Sequence, residues 1–85
     1  MRTFSHTITD PLGIHARPAG MLAKEARKYA SVCTLTRGDE SVRLTQLMAL
    51  MALTVRSGDV VRITVEGADE DAAAEGLHAF FKEHL

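Results

Sequence analysis

The chain opens on strict alternation. Phe4, His6 and Ile8 fall on one side, and Thr3, Ser5, Thr7 and Thr9 on the other. Period two with β-branched residues predicts a strand with one face in water. Asp10-Pro11-Leu12-Gly13 then supplies turn chemistry. From Ala16 the period becomes helical: Ala19, Leu22, Ala23, Ala26 and Tyr29 or Ala30 share one side, and Lys24, Glu25, Arg27 and Lys28 the other. Pro18 is compatible with this helix only in its first turn, where amide hydrogens have no intrahelical partner. The helix therefore starts near His15 or Ala16. Val32 to Thr36 and Glu40 to Leu44 read as a hairpin around Arg37-Gly38-Asp39. Thr45 to Leu53 is dense in Leu, Met and Ala, which favour helix. Asp59 to Glu66 alternates again, with Val61, Ile63 and Val65 inward. A last helix follows, with Asp69 as N-cap, Glu70 and Asp71 at the positive dipole end, an apolar stripe of Leu77, Phe80 and Phe81, and Lys82 and His84 in the final turn. The order is βαββαβα. It predicts an α+β domain with helices on one face of an antiparallel sheet; the strand order does not follow from it.

Length and composition narrow the function classes. The 85 residues suit one domain, 1–85. Lys+Arg 10 against Asp+Glu 11 gives a net charge of -1. A nucleic-acid binder driven by phosphate neutralisation should be basic, and so should a polybasic membrane-surface segment. No apolar run is long enough to span a bilayer, and Met1 to Thr7 lacks the apolar core of a secretory signal. The single cysteine, Cys33, forms neither an internal disulfide nor a thiolate metal site by itself. A cytoplasmic protein is expected, without direct membrane insertion.

The segment with chemistry is Gly13-Ile14-His15-Ala16-Arg17-Pro18-Ala19-Gly20. It places a histidine at the mouth of a helix. Gly13 permits a tight turn, and the free amide hydrogens of Ala16 and Arg17 point out beside the imidazole. Unpaired N–H groups and the helix dipole make such a terminus an anion site. Arg17 adds a planar charged fork suited to phosphate oxygens. The positive helix end disfavours an imidazolium, and a neutral imidazole is a nucleophile. No carboxylate is assigned to support it. Spacing alone leaves three readings open: a simple cap or solvated histidine, a bound phosphate, and a covalent phosphohistidine.

Gly13-Ile14-His15-Ala16-Arg17-Pro18-Ala19 closely resembles the active-site signature of HPr, the histidine phosphocarrier family of the phosphoenolpyruvate-dependent sugar phosphotransferase system. Val42 to Leu53 resembles the family's second signature, and Ser57-Gly58-Asp59 the turn after it, so the likeness covers essentially the whole chain. The resemblance implies an open-faced β-sandwich: a four-stranded antiparallel sheet with three helices on one face. It implies that His15 accepts a phosphoryl group on Nδ1 from phosphorylated Enzyme I and passes it to a histidine of an enzyme IIA domain. Arg17 would steady the phosphoryl oxygens, and the Ala16 and Arg17 amides would form the phosphate cradle. The chain would be a carrier rather than an enzyme with turnover of its own. It would need no cofactor and no metal. Regulatory paralogues, such as the nitrogen-related branch, phosphorylate a regulator and move no sugar; they are the alternative.

The resemblance also implies a docking surface for Enzyme I and IIA on Leu47, Met48 and Met51, rimmed by Lys24 and Arg27, which follow Gly20 at helical spacing. Leu50 and Leu53 are read as core instead. A monomer is the simplest state for a carrier that shows one histidine to two partners. Gln46 stands where many Gram-positive relatives carry a regulatory serine, and the adjacent Thr45 is a poor substitute. Thr54 replaces a frequent glycine, and Leu12 a small polar residue. His6 and Cys33 read as structural. Ser31 and Ser41 read as ordinary edge or turn residues, and His78 and His84 receive no function.

Overall fold

The computed structural model describes residues 1–85. The predicted elements form in the predicted order: β1 (Arg2–Thr7), α1 (Ala16–Ala26), β2 (Val32–Arg37), β3 (Glu40–Arg43), α2 (Leu47–Ala52), β4 (Val60–Glu66) and α3 (Glu70–His84). Boundaries differ where the chain has other hydrogen-bond partners. β1 ends before Thr9 because Ile8 turns into the Gly58 segment: its N–H donates to the Asp59 carbonyl at 2.9 Å, and its own carbonyl accepts from Gly58 N–H at 2.8 Å. α2 starts two residues later than Thr45, since Gln46 N–H closes a turn onto the Arg43 carbonyl at 3.0 Å.

The strand order is β1-β4-β2-β3, antiparallel throughout. β4 lies between β1 and β2, with Phe4 opposite Ile63 on one side and Leu35 opposite Ile63 on the other. The chain thus leaves a gap beside β1 and fills it five elements later. Arg37 pairs with Glu40 across the Gly38-Asp39 turn, as the hairpin reading requires. Period two holds in the two central strands: Cys33, Leu35, Val61, Ile63 and Val65 are buried, and their neighbours face outward or lie part-buried. Helices cover that inner face with Ala19, Leu22 and Ala26 of α1, Leu50 of α2, and Ala73, Leu77 and Phe81 of α3. The result is a four-stranded antiparallel sheet with three helices on one face. α1 packs against both α2 and α3.

α3 approaches α1 closely because Gly76 has no side chain. A Cβ there would strike the Tyr29 hydroxyl, which donates to the Glu25 carboxylate at 3.3 Å. His6 takes the structural place expected of it, against Phe81, and His78 stacks on Phe4 at 4.5 Å.

Two expectations need correction. Asp69 stands at the N-cap position of α3, but its side chain makes no capping bond. Its carboxylate turns to the loop after α1, where it accepts from Ala30 N–H at 2.8 Å, Ser31 N–H at 2.9 Å and the Ser31 hydroxyl. Ser31 is accordingly no ordinary turn residue: it is the one buried polar side chain. The bonds from the Ser31 hydroxyl and the Ala30 N–H hold the Asp69 carboxyl below the usual carboxylate range. Glu70, the first residue of α3, turns its carboxylate back onto the preceding turn, where it accepts from Gly67 N–H at 3.3 Å.

Candidate functional site

The loop from Ile8 to Ile14 is fixed at several points, and this places His15. Gly13 adopts φ +67°, and a Cβ there would collide with the Val55 carbonyl. That close approach lets Ile14 N–H donate to Val55 O at 3.0 Å and buries the Ile14 side chain. Asp10 builds the turn before it: its side chain accepts from Leu12 N–H at 2.9 Å, and its carbonyl from Gly13 N–H at 2.9 Å. His15 follows with extended backbone (φ −99°, ψ −176°) as the N-cap of α1, and its carbonyl accepts the N–H of Ala19 at 2.9 Å.

As a cap residue His15 is unusual in what its side chain does. The imidazole makes no capping bond. The ring stands away from the helix, with 37% of its surface exposed. The N–H groups of Ala16 and Arg17 have no protein acceptor, and the exposed Arg17 guanidinium has no hydrogen-bond or ion-pair partner either. Pro18 lies in the first turn, buried, where its missing N–H costs no bond. A reachable imidazole, two unspent N–H donors and an unpaired guanidinium therefore share one helix start. Such donors can hold a tetrahedral dianion.

A carboxylate is present after all. Asp10 Oδ2 lies 3.8 Å from His15 Nε2, too far for a direct hydrogen bond. Sequence spacing missed Asp10 because its contact with the ring depends on how the loop folds back. It missed His84 for a stronger version of the same reason. His84 and Met21 join Asp10, His15, Arg17 and Pro18 in lining one cleft of about 220 Å³, although His84 is 69 residues from His15 in the chain.

The expected docking residues collect on the adjoining surface. Gly20, Lys24 and Arg27 run along α1; a Cβ on Gly20 would meet nothing, so the helix surface is flat there. Arg27 also donates to the Thr45 carbonyl at 3.0 Å, which ties α1 to the segment leading into α2. On α2, Met48 is 77% exposed and Met51 37%, whereas Leu50 and Leu53 are core. Leu47 is half-buried against the core and leaves only part of its side chain at this surface. Met21, 39% exposed, continues the apolar surface from α1 toward the cleft. Gln46 and Leu12 are exposed.

Comparison with known proteins bears on this geometry. The family described as the PTS HPr component phosphorylation site matches residues 2–83. The chain is 39% identical over 77 residues to the phosphocarrier protein HPr of Mycoplasma capricolum, covering 91% of this chain and 86% of that one. The solved histidine-containing phosphocarrier protein of Mycoplasma superposes with a TM-score of 0.93 at 35% identity, covering 96% of this chain and 93% of the other. An HPr dimer from Thermoanaerobacter tengcongensis superposes with a TM-score of 0.77 at 30% identity, covering 98% and 95%. Relatives of this fold therefore include a dimer, and a monomeric state is not given by the fold.

Proposed function

This chain belongs to the HPr family of phosphotransferase-system phosphocarriers, and on that premise we propose that it takes a phosphoryl group from phosphorylated Enzyme I on His15 Nδ1 and delivers it to a histidine of an enzyme IIA domain during sugar uptake. The observation that carries the reading is the exposed His15 ring beside the two unpartnered N–H groups of Ala16 and Arg17. The Nδ1 lone pair attacks phosphorus, and the bond from phosphorus to the donor breaks. The Nε2 proton stays in place, so positive charge develops on the ring, and the Asp10 carboxylate at 3.8 Å stabilises it. The three phosphoryl oxygens gain the Ala16 and Arg17 amides and the Arg17 guanidinium. Onward transfer reverses these changes and returns a neutral ring.

Docking then needs a surface that forms and releases contacts quickly. Met48, Met51 and Met21 beside Lys24 and Arg27 suit it, because thioether chains adapt to more than one partner and an apolar patch with a charged rim is a contact site. Work in the cytoplasm as a monomer fits a carrier serving two partners; no helix is long and apolar enough to cross a membrane.

The test is direct. Mixed with Enzyme I and labelled phosphoenolpyruvate, the protein should acquire an acid-labile label, and His15→Ala should acquire none. Label persisting in that variant would move the site elsewhere. Formation of sugar phosphate on adding a sugar-specific enzyme II would establish the transport branch.

A further inference from the structure

The electrostatics of the cleft are uneven. One wall is the start of α1, with its free N–H groups, its positive dipole end and Arg17. The rest of the lining is the Asp10 carboxylate and the C-terminal end of α3, both negative. A phosphoryl dianion on His15 is repelled by that negative wall. His84 is the cationic-capable side chain on it, in the last turn of α3.

Three observations fix His84 there. The end of α3 is docked on the site loop: the Leu85 carbonyl accepts from the N–H groups of Thr9 at 2.6 Å and Asp10 at 3.2 Å, and from the Thr9 hydroxyl at 3.2 Å. The His84 ring packs against the buried Phe80 ring at 4.6 Å between centroids, which restricts its rotamers. Neither ring nitrogen has a hydrogen-bond or ion-pair partner in the protein, although the residue is half-buried. A polar ring has thus been carried to the cleft and left unengaged.

We propose that His84 is a second phosphoryl-binding residue, whose imidazole N–H donates toward the phosphoryl oxygens on His15 and offsets the negative wall. The proposal rests on His15 being the phosphoryl acceptor. The charged groups facing His84 are Asp10, His15 and Arg17 in this cleft, and Lys24, Glu25 and Lys28 of α1 in the groove on its other side. Lys28 and Glu25 engage each other at 2.9 Å. Lys82 and Glu83 are its neighbours on α3 itself. Among these, His15 is the group whose charge changes on phosphorylation, so a response of His84 to loading reports on that site.

The experiment follows the His84 imidazole by nuclear magnetic resonance in the full chain, before and after loading by Enzyme I and phosphoenolpyruvate. Loading should raise its titration midpoint by about 0.5 unit or more, because a nearby anion favours the charged ring. A histidine held on Phe80 without donating to the phosphoryl oxygens would feel only the screened charge and shift by clearly less. In parallel, His84→Glu should cut the loading rate about tenfold at neutral pH and His84→Gln should cut it less. Unchanged amide spectra around Phe80 would show that these variants keep the fold. A midpoint that stays put, or shifts by clearly less, in fully loaded protein would overturn the proposal while leaving His15 in its role, and this measurement needs no variant. Absence of label from His15 would overturn both.

Discussion

Arg17 is exposed and makes no contact within the protein, so its removal should leave the fold intact and act on chemistry alone. Losing a charge-assisted bond to the phosphoryl oxygens costs about 1.5–3 kcal/mol. Arg17→Ala should therefore slow transfer from Enzyme I by about 10-fold to 100-fold, read in a rapid-quench assay with unchanged thermal stability; equal rates would remove Arg17 from the site. Thr54 makes the opposite kind of prediction. It sits at φ +54°, a left-handed conformation that a β-branched residue adopts only under strain. The turn holds it there: its N–H donates to Met51 O at 3.1 Å, and its carbonyl accepts from Arg37 at 2.7 Å. Thr54→Gly keeps both backbone bonds and relieves the strain, and loses only the exposed Thr54 hydroxyl bond to the Ala52 carbonyl. It should stabilise the protein by about 1 kcal/mol, or about 4–8 °C in Tm, and a lower Tm would refute the strain argument. The exchange of a glycine for Thr54 is visible in the sequence; its sign on stability requires the backbone angle.

α1 serves two purposes on two faces. Its Ala and Leu face closes the core, and its Gly20, Lys24 and Arg27 side meets α2 at the proposed docking surface. Met48 is the most exposed large apolar side chain there, at 77%. Met48→Glu should weaken binding to Enzyme I or IIA by about 1–2 kcal/mol, seen by calorimetry as a rise in Kd of about 5-fold to 30-fold, with phosphorylation still complete at saturating partner. Unaltered affinity would retire Met48 from the interface. Local periodicity made these elements legible: alternation in Phe4, His6 and Ile8, the 3.6 period from Ala19 to Ala26, and Pro18 in the first turn all survive in the structure. The half-burial of Leu47 could not be read from period, because α2 has only six residues, too few to show which side turns inward.

At the scale of the whole molecule, one carboxylate joins segments 38 residues apart. Asp69, just before α3, holds the loop of Ala30 and Ser31 that feeds β2. Its carboxyl is held below the ordinary value of 3.8. A depressed carboxyl contributes stability that is present above the ordinary value and is lost as pH falls through the native one. Asp69→Asn should thus lower Tm at neutral pH, and the gap to the parent should close in acid below 3.8. A gap independent of pH would show that geometry rather than charge matters. Sequence reading gave Asp69 to its own helix because capping is a local rule; nothing local announces Ser31 as its partner. Asp10 and His84 escaped for the same reason. The His-Ala-Arg-Pro core of the site lies within a few residues and was legible, whereas its far wall is assembled by tertiary folding.

The position of β4 between β1 and β2 has a consequence for synthesis. A nascent chain that has reached only β3 holds a β1 with no neighbour and a β2 bare along one edge. Productive collapse waits until Val60–Glu66 has left the ribosome and slots between them. A product truncated before that point is left with sticky margins, prone to pair with whatever strand it meets.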